Sequence, residues 1–170
     1  MIALDDTKSM HHGGVGLEAL KGTLAIAAAL NNLSIKTCIT GIRDSMVIHK
    51  HFQGLLEPLK IAKGFDFSHE SQRSHDLSIA SFMESSLEEF KRCESSETGI
   101  ENKQLCFIIS DGKMNKDYVR PFMKDARKRG IIYVFIIIDS EKSSILTTKS
   151  VSIGENGKVK MQLYMSDFPF

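Results

Sequence analysis

The residues best suited to chemistry lie near the start of the chain, where Asp5, Thr7 and Ser9 follow the apolar run Met1-Ile-Ala-Leu4. This run is typical of a short buried strand, and residues two apart in an extended segment point the same way. A carboxylate and two hydroxyls can therefore converge on one small, hard cation that binds oxygen. A Gly-rich stretch and an Ala/Leu-rich segment come next. A strand, an oxygen-rich loop and a helix, in that order, form ligand sites at the strand ends of open α/β sheets.

A second carboxylate, Asp111, follows another apolar run, Leu105 to Ile109. If both strands are central in a parallel sheet, their carboxyl ends lie side by side and their loops should meet. We expect a third contribution from the loop before the predicted helix Leu77 to Cys93, where Ser74 offers a hydroxyl. Three hydroxyls and two carboxylates make an oxygen-only ligand set, which selects Mg²⁺, with Mn²⁺ or Ca²⁺ as alternatives, over zinc.

The elements that must position these residues alternate between strand and helix. Apolar runs predict strands, and longer amphipathic or Ala-rich segments predict helices. The further predicted strands are Ile35 to Ile42, Met46 to Phe52 and Ile131 to Ile138, and the other predicted helices are Leu17 to Leu33, Leu55 to Ala62 and Lys116 to Arg129. This order predicts an α/β fold, a doubly wound, mainly parallel sheet flanked by helices, with right-handed crossovers.

Three local expectations accompany these elements. The helix Leu17 to Leu33 is apolar around most of its circumference, which is typical of a buried helix. The run Ile131 to Ile138 contains eight apolar residues, which indicates a central parallel strand covered on both faces. Asp76 suits the N-cap of the helix that follows it. Beyond Asp139 the signals weaken to a Gly154-Glu-Asn-Gly157 turn between two short strand-like pieces.

Composition bounds the function. A chain of 170 residues predicts one domain, residues 1–170, and a formal net charge of +1 gives no global electrostatic reason to bind nucleic acid or membrane. No apolar run approaches the roughly 18 residues expected of a membrane span. Three scattered cysteines favour free thiols in a reducing compartment. The abrupt ends suggest one domain cut from a larger protein.

The pattern resembles the metal-ion-dependent adhesion site of von Willebrand factor A domains, which have a Rossmann-like fold. The family motif is Asp-x-Ser-x-Ser, then a Thr in a second loop and an Asp in a third. In this chain Thr7 replaces the first Ser, and Ser74 stands at the Thr position, with Ser68 and Ser71 as neighbouring alternatives. The resemblance implies a metal site, and its ligands would be Asp5, Thr7, Ser9, Ser74 and Asp111.

A narrower resemblance, to the C-terminal adhesion-site domain of the midasin family, covers nearly the whole chain. It rests on segments including Ile2 to Met10, Ile136 to Asp139, Lys142 to Leu146, Lys149 to Val151 and Tyr164 to Phe170. Midasins are giant ring ATPases of large-subunit ribosome assembly in the nucleus. The resemblance implies that this domain, a monomer without enzymatic activity of its own, binds an acidic residue in the ubiquitin-like domain of a WD-repeat ribosome-assembly factor. We expect partner contacts from His11, His12, Gly112 and Lys113.

Other interpretations of the acidic residues are weaker. Receiver domains carry an acidic pair such as Asp5-Asp6, but they need a phosphoacceptor at the end of a later core strand, and here only Asp44, at a predicted hairpin, could serve. Dehalogenase-type phosphatases need a second Asp where Thr7 stands, so a Mg²⁺-dependent phosphoryl-transfer domain stays an alternative without its nucleophile pair. Asp6 should point away from the metal and support the loop. His49 and His51 have no third zinc ligand near them and are expected to be exposed.

Overall fold

Five strands form one sheet in the computed structural model, which describes residues 1–70, 75–94, 104–112, 116–138, 149–153 and 159–163. The strands are β1 (Ile2–Asp5), β2 (Ile39–Ile42), β3 (Met46–Lys50), β4 (Gln104–Ser110) and β5 (Ile131–Ile137). Their order is β3-β2-β1-β4-β5, and three of the four pairings are parallel, while β2 and β3 form an antiparallel hairpin. The predicted mainly parallel α/β sheet is confirmed.

The central strand of this sheet is β1, and all four of its residues are buried. Leu4 lies opposite Gly41 of β2 and Ile109 of β4, so the three strands end at the same edge. The sequence explains this place, since a short run of Ile, Ala and Leu suits a strand covered on both faces. Asp5 is therefore delivered to the middle of the carboxyl edge, beside the end of β4.

Four helices accompany the sheet in the described residues: α1 (Val15–Asn32), α2 (Pro58–Ala62), α3 (His75–Glu94) and α4 (Lys116–Lys128). Gly130, with φ of 74°, follows α4, as expected of a residue just beyond a helix end. Helix α3 begins at His75, so Asp76 lies inside the helix, and its prediction as the N-cap was wrong by one or two positions. Strand β2 begins at Ile39, four residues later than predicted.

The prediction that α1 is a buried helix was wrong. Ala19, Leu20 and Ala27 join the core with Ile2 and Leu4, but Leu17 is 54% exposed, and Ala25, Ala28 and Ala29 are exposed as well. Small alanines tolerate solvent and core alike, so an Ala-rich helix does not reveal its buried face by composition.

Among the described residues, the segment Lys8–Asn32, a 3₁₀ stretch (Lys8–Gly14) followed by α1, is long and apolar enough to cross a membrane by length and composition alone. The expectation that no such segment exists was therefore too strict. The core helix of a soluble protein passes the same test, and one face of α1 packs against the sheet residues named above.

The prediction that the run Ile131 to Ile138 is a central strand was also wrong, because β5 (Ile131–Ile137) is an edge strand of the five-stranded sheet. Its buried positions are Ile131 and Tyr133, whereas Ile132 between them is 52% exposed. Apolar composition cannot tell an edge strand from a central one when its neighbours in space are unknown.

The chain divides into two compact units, Met1–Ile138 and Asp139–Phe170. The second contains an antiparallel pair, β6 (Lys149–Ile153) and β7 (Val159–Leu163), joined through 154–158, where a turn is predicted. That turn and the residues 164–170 of the resemblance lie outside the described residues. One domain over 1–170 stays a prediction.

His49 is half-buried and not exposed as predicted. It is the extra residue of a bulge in β3, since Ile39 pairs with Lys50 and Thr40 with Ile48. Its ring lies 4.2 Å from that of Phe65, and a Cβ on Gly64 would lie 2.3 Å from Nδ1. A glycine at 64 is therefore required by the imidazole, whose ring holds the 64–67 segment beside the sheet. His51, after the bulge, is exposed.

Burial lowers the pKa of His49 below its ordinary 6.5, while the nearby charges oppose each other, Asp6 raising it and Arg43 lowering it. Below pH 6.5 the unfolded chain then binds the proton more readily than the folded chain does, so the free energy of unfolding should fall as pH falls from 7 to 5. His49→Gln should flatten this slope in urea titrations at each pH. His12→Gln, at an exposed site, should leave it unchanged, and an unaltered slope in His49→Gln would contradict the assignment.

Candidate metal centre

Asp5 is fully buried at the end of β1, and three donors surround its carboxylate. Oδ1 accepts hydrogen bonds from the Thr7 backbone N–H at 3.1 Å and from Thr7 Oγ1 at 2.7 Å, and Oδ2 accepts one from Ser110 Oγ at 2.8 Å. A buried carboxylate needs such donors, because an unpaired charge costs several kcal/mol to desolvate. Asp5 therefore organises the loop after its own strand and the end of the neighbouring strand.

The hydroxyls of Thr7 and Ser9 lie together, with their oxygens 3.0 Å apart. Since Thr7 gives its one hydroxyl proton to Asp5, the Ser9 hydroxyl must be the donor between the two. Ser9 therefore donates to Thr7, and Thr7 donates to Asp5. Lone pairs remain on the side of both hydroxyl oxygens that faces away from Asp5. Thr7 is buried and Ser9 half-buried, so Ser9 lies nearer to the opening of the site.

The third loop follows β4 and reaches the site through Ser110. Ser110 Oγ donates to Asp5 and accepts the backbone N–H of Gly112 at 3.2 Å, so these two bonds flank Asp111. The φ of Gly112 is 78°, a left-handed value that suits glycine. The Asp111 side chain is half-buried, with its Oδ2 atom shielded from solvent.

Ser110 is the functional residue that sequence reasoning missed. The register offered a signal, since Leu4 pairs with Ile109 and the next residues, Asp5 and Ser110, therefore face each other at the sheet edge. The apolar run ends at Ile109, one residue earlier, so the apolar pattern indicates no role for Ser110.

The structure brings Asp5, Thr7, Ser9 and the Asp111 loop together at one edge. Ser74 and Lys113 lie outside the described residues, so their roles stay predictions. His11 and His12 are exposed in the 3₁₀ segment Lys8–Gly14, next to the site but without a described contact to it.

The donor set fits a small, hard cation. Its described oxygens are the hydroxyls of Thr7 and Ser9 and the carboxylates of Asp5 and Asp111, without thiolate or imidazole, and oxygen ligation favours Mg²⁺, Mn²⁺ or Ca²⁺. No group of three or more His, Cys, Asp or Glu side chains able to hold a metal exists in the described part of the chain. Any ion bound at this edge therefore depends on hydroxyl oxygens.

No family model matches the chain. Midasin of Dictyostelium discoideum is 30% identical over 183 residues, an alignment that covers all of this chain and 3% of that protein. The chain is a midasin-type domain. Midasin of Giardia intestinalis is 36% identical over 112 residues, covering 62% of this chain and 2% of that protein. The domain therefore spans only a few per cent of the length of these relatives.

A solved structure with a similar fold is the conserved hypothetical protein BatB from Bacteroides thetaiotaomicron, which has a von Willebrand factor A-like fold. The TM-score is 0.51 at 12% identity, and the match covers 96% of the midasin-type domain and 78% of BatB. At this identity the likeness establishes the fold alone, a mainly parallel sheet flanked by helices.

Mg²⁺ should raise the melting temperature of the domain, because an ion that binds only the folded chain stabilises it by mass action, about 2.7 kcal/mol at a hundredfold excess over Kd. Asp111→Asn should abolish this response and leave a folded protein. Differential scanning calorimetry with 0–10 mM MgCl₂, with the far-ultraviolet circular dichroism of the variant as control, measures both. Loss of helical signal in Asp111→Asn would show instead that Asp111 supports the fold.

Proposed function

We propose that this midasin-type domain is a metal-dependent protein-binding module. Asp5, Thr7, Ser9 and Asp111, with Ser74 as the predicted fifth ligand, would hold one Mg²⁺ ion. That ion, when bound, supplies a coordination position for a carboxylate of another protein. The observation that carries the proposal is the pair of adjacent hydroxyls, Thr7 and Ser9, fixed by one buried carboxylate.

The charge of the described ligands supports this choice of partner. Thr7 and Ser9 are neutral, and Asp5 spreads its charge over three hydrogen bonds directed into the protein. The two carboxylates, Asp5 and Asp111, balance the charge of a divalent cation without exceeding it, so no excess negative charge of the described ligands repels an anionic partner. Of the proposed contact residues, His11 and His12 are exposed, whereas Gly112 is buried and Lys113 lies outside the described residues.

For the biological role we propose capture of an acidic residue in the ubiquitin-like domain of a WD-repeat ribosome-assembly factor, during maturation of the large ribosomal subunit in the nucleus. Support comes from the two relatives named midasin. The ring ATPase that the family resemblance implies would then act on the captured factor. The isolated domain would have no catalytic activity of its own.

The phosphoryl-transfer alternative finds less support. Asp44 lies in the turn between β2 and the antiparallel strand β3, half-buried, and its carboxylate lies 3.3 Å from His69 Nε2. Asp6 makes its hydrogen bonds to Arg43 and to the backbone of Phe67, away from Asp5. A receiver-type acidic pair would need both carboxylates at one ion.

Binding of the ubiquitin-like domain should require divalent metal. We expect Ser9→Ala to weaken it at least 10–100-fold, roughly the loss seen when groups around metal sites are removed, because one oxygen ligand disappears. Neutralising the partner's ligating carboxylate should have a similar effect, and EDTA should abolish binding. Isothermal titration calorimetry with and without EDTA tests all three.

Arg127→Ala is the matched control, since Arg127 is exposed in the last turn of α4. This turn precedes β5 and therefore lies at the amino ends of the parallel strands, opposite to the carboxyl ends that carry the site. The affinity of this variant should equal that of the unmodified domain. Undiminished binding in EDTA would show that ordinary protein surface makes the interface, and the metal mechanism would fall.

A further inference from the structure

Two adjacent buried carboxylates at the end of β1 have opposite surroundings. Asp5 and Asp6 are both fully buried. Asp5 bonds toward β4 through Ser110, whereas Asp6 bonds toward the β2–β3 hairpin and the 64–67 segment. Alternation along an extended chain produces this divergence. The site thus has one carboxylate facing it and another directly behind it.

Arg43, at the start of the hairpin, compensates the rear carboxylate. Its Nε lies 2.7 Å and a terminal nitrogen 2.6 Å from Asp6 Oδ2, and that nitrogen also donates to the Gly64 carbonyl at 3.1 Å. The other oxygen of Asp6 accepts the Phe67 backbone N–H at 3.0 Å. The Arg43 side chain is only 27% exposed, so solvent screens the pair weakly. The charge and the hydrogen-bond acceptors of Asp6 are therefore both satisfied without Thr7 or Ser9, the hydroxyl residues of the loop after β1.

We propose that Arg43 is a positioning residue that sets the charge of the metal site: by neutralising Asp6 it keeps the bound ion electropositive enough to accept an external carboxylate. This inference rests on the proposed function and identifies what selects an anionic partner. Without the Arg43 cation, the charge of Asp6 would add to those of Asp5 and Asp111 at the ion. The cation would then be held more tightly and would attract a second anion less.

The position of Asp6 next to Asp5 should make its effect on the metal affinity large enough to measure. Because Asp6 directly follows Asp5 and points the other way, its charge lies roughly 8–10 Å, about one Debye length, from an ion bound beside Asp5. Even at the dielectric constant of water, one charge about 8 Å from a divalent cation changes its affinity about fivefold. A purely structural role for Arg43 predicts something else, since loosening the loop would weaken metal and anion binding together.

The test measures Mn²⁺ binding by water-proton relaxation, followed by titration of acetate into the Mn²⁺-loaded domain. Arg43→Gln keeps an amide donor but removes the charge, and should bind Mn²⁺ more tightly, by up to about fivefold, and acetate more weakly. Asp6→Asn leaves Arg43 with only the exposed carboxylate of Asp66, 3.8 Å away, and should change both affinities in the opposite sense. The double variant should return both affinities to within about twofold of the unmodified domain, because the two charges are removed together.

Two further variants exclude a structural explanation. Arg43→Lys keeps the charge but loses the forked hydrogen bonds, and should bind both probes like the unmodified domain. Arg129→Gln, which breaks an exposed pair with Asp125 at the other edge of the sheet, is the matched control and should change neither affinity. If Arg43→Gln does not fold, Arg43→Lys and the tighter acetate binding of Asp6→Asn decide.

The outcomes separate this inference from the proposed function. Parallel losses of Mn²⁺ and acetate in Arg43→Gln and Asp6→Asn, or unchanged affinities in both, would overturn the role of Arg43 alone. An unmodified domain that takes up no Mn²⁺, or takes it up equally after Asp111→Asn, would overturn the metal site itself. Opposite shifts in the two single variants, cancelled in the double variant, would establish the role of Arg43.

Discussion

The site depends on the fully buried carboxylate of Asp5 at the end of the central strand. A charge in that place needs hydrogen-bond donors, and the fold supplies them from two directions, Thr7 in the following loop and Ser110 on the neighbouring strand. The parallel pairing of β1 with β4 places Ser110 opposite Asp5, and the apolar core beneath fixes that register. The two hydroxyls, their proton directions and the Asp111 loop follow from this one constraint.

The end of β1 also carries a second buried carboxylate, Asp6, whose charge must be compensated as well. Asp6 would place another negative charge at the ion, but it points away and is paired with Arg43. The pair also fixes the 64–67 segment, through Gly64 and Phe67, and Phe67 in turn packs where a side chain on Gly16 would clash. These contacts connect three parts of the protein around the site. They are the loop after β1, the β2–β3 hairpin and the start of α1.

Sequence alone predicted the alternation of elements, the strand-end position of Asp5, Thr7, Ser9 and Asp111, and the divergence of Asp6, because strand periodicity and short-range spacing determine them. It did not predict that Arg43 would be the partner of Asp6, since 37 residues and a hairpin separate them. It also misplaced β5, because strand order is a tertiary property, and overestimated the burial of α1, because alanine suits core and surface alike. The partial burial of His49 depends on a bulge and on two glycines, Gly41 and Gly64, that leave room for its ring and that no local pattern indicates.

Anomalous diffraction from crystals of the domain with a ubiquitin-like partner, grown with Mn²⁺, tests metal-bridged capture most directly. Metal-bridged capture predicts one manganese peak within about 2.3 Å of Thr7 Oγ1, Ser9 Oγ and a carboxylate oxygen of the partner, a distance that allows for manganese being slightly larger than magnesium. A complex whose partner carboxylate binds protein side chains, with no manganese at Thr7 and Ser9, would contradict it.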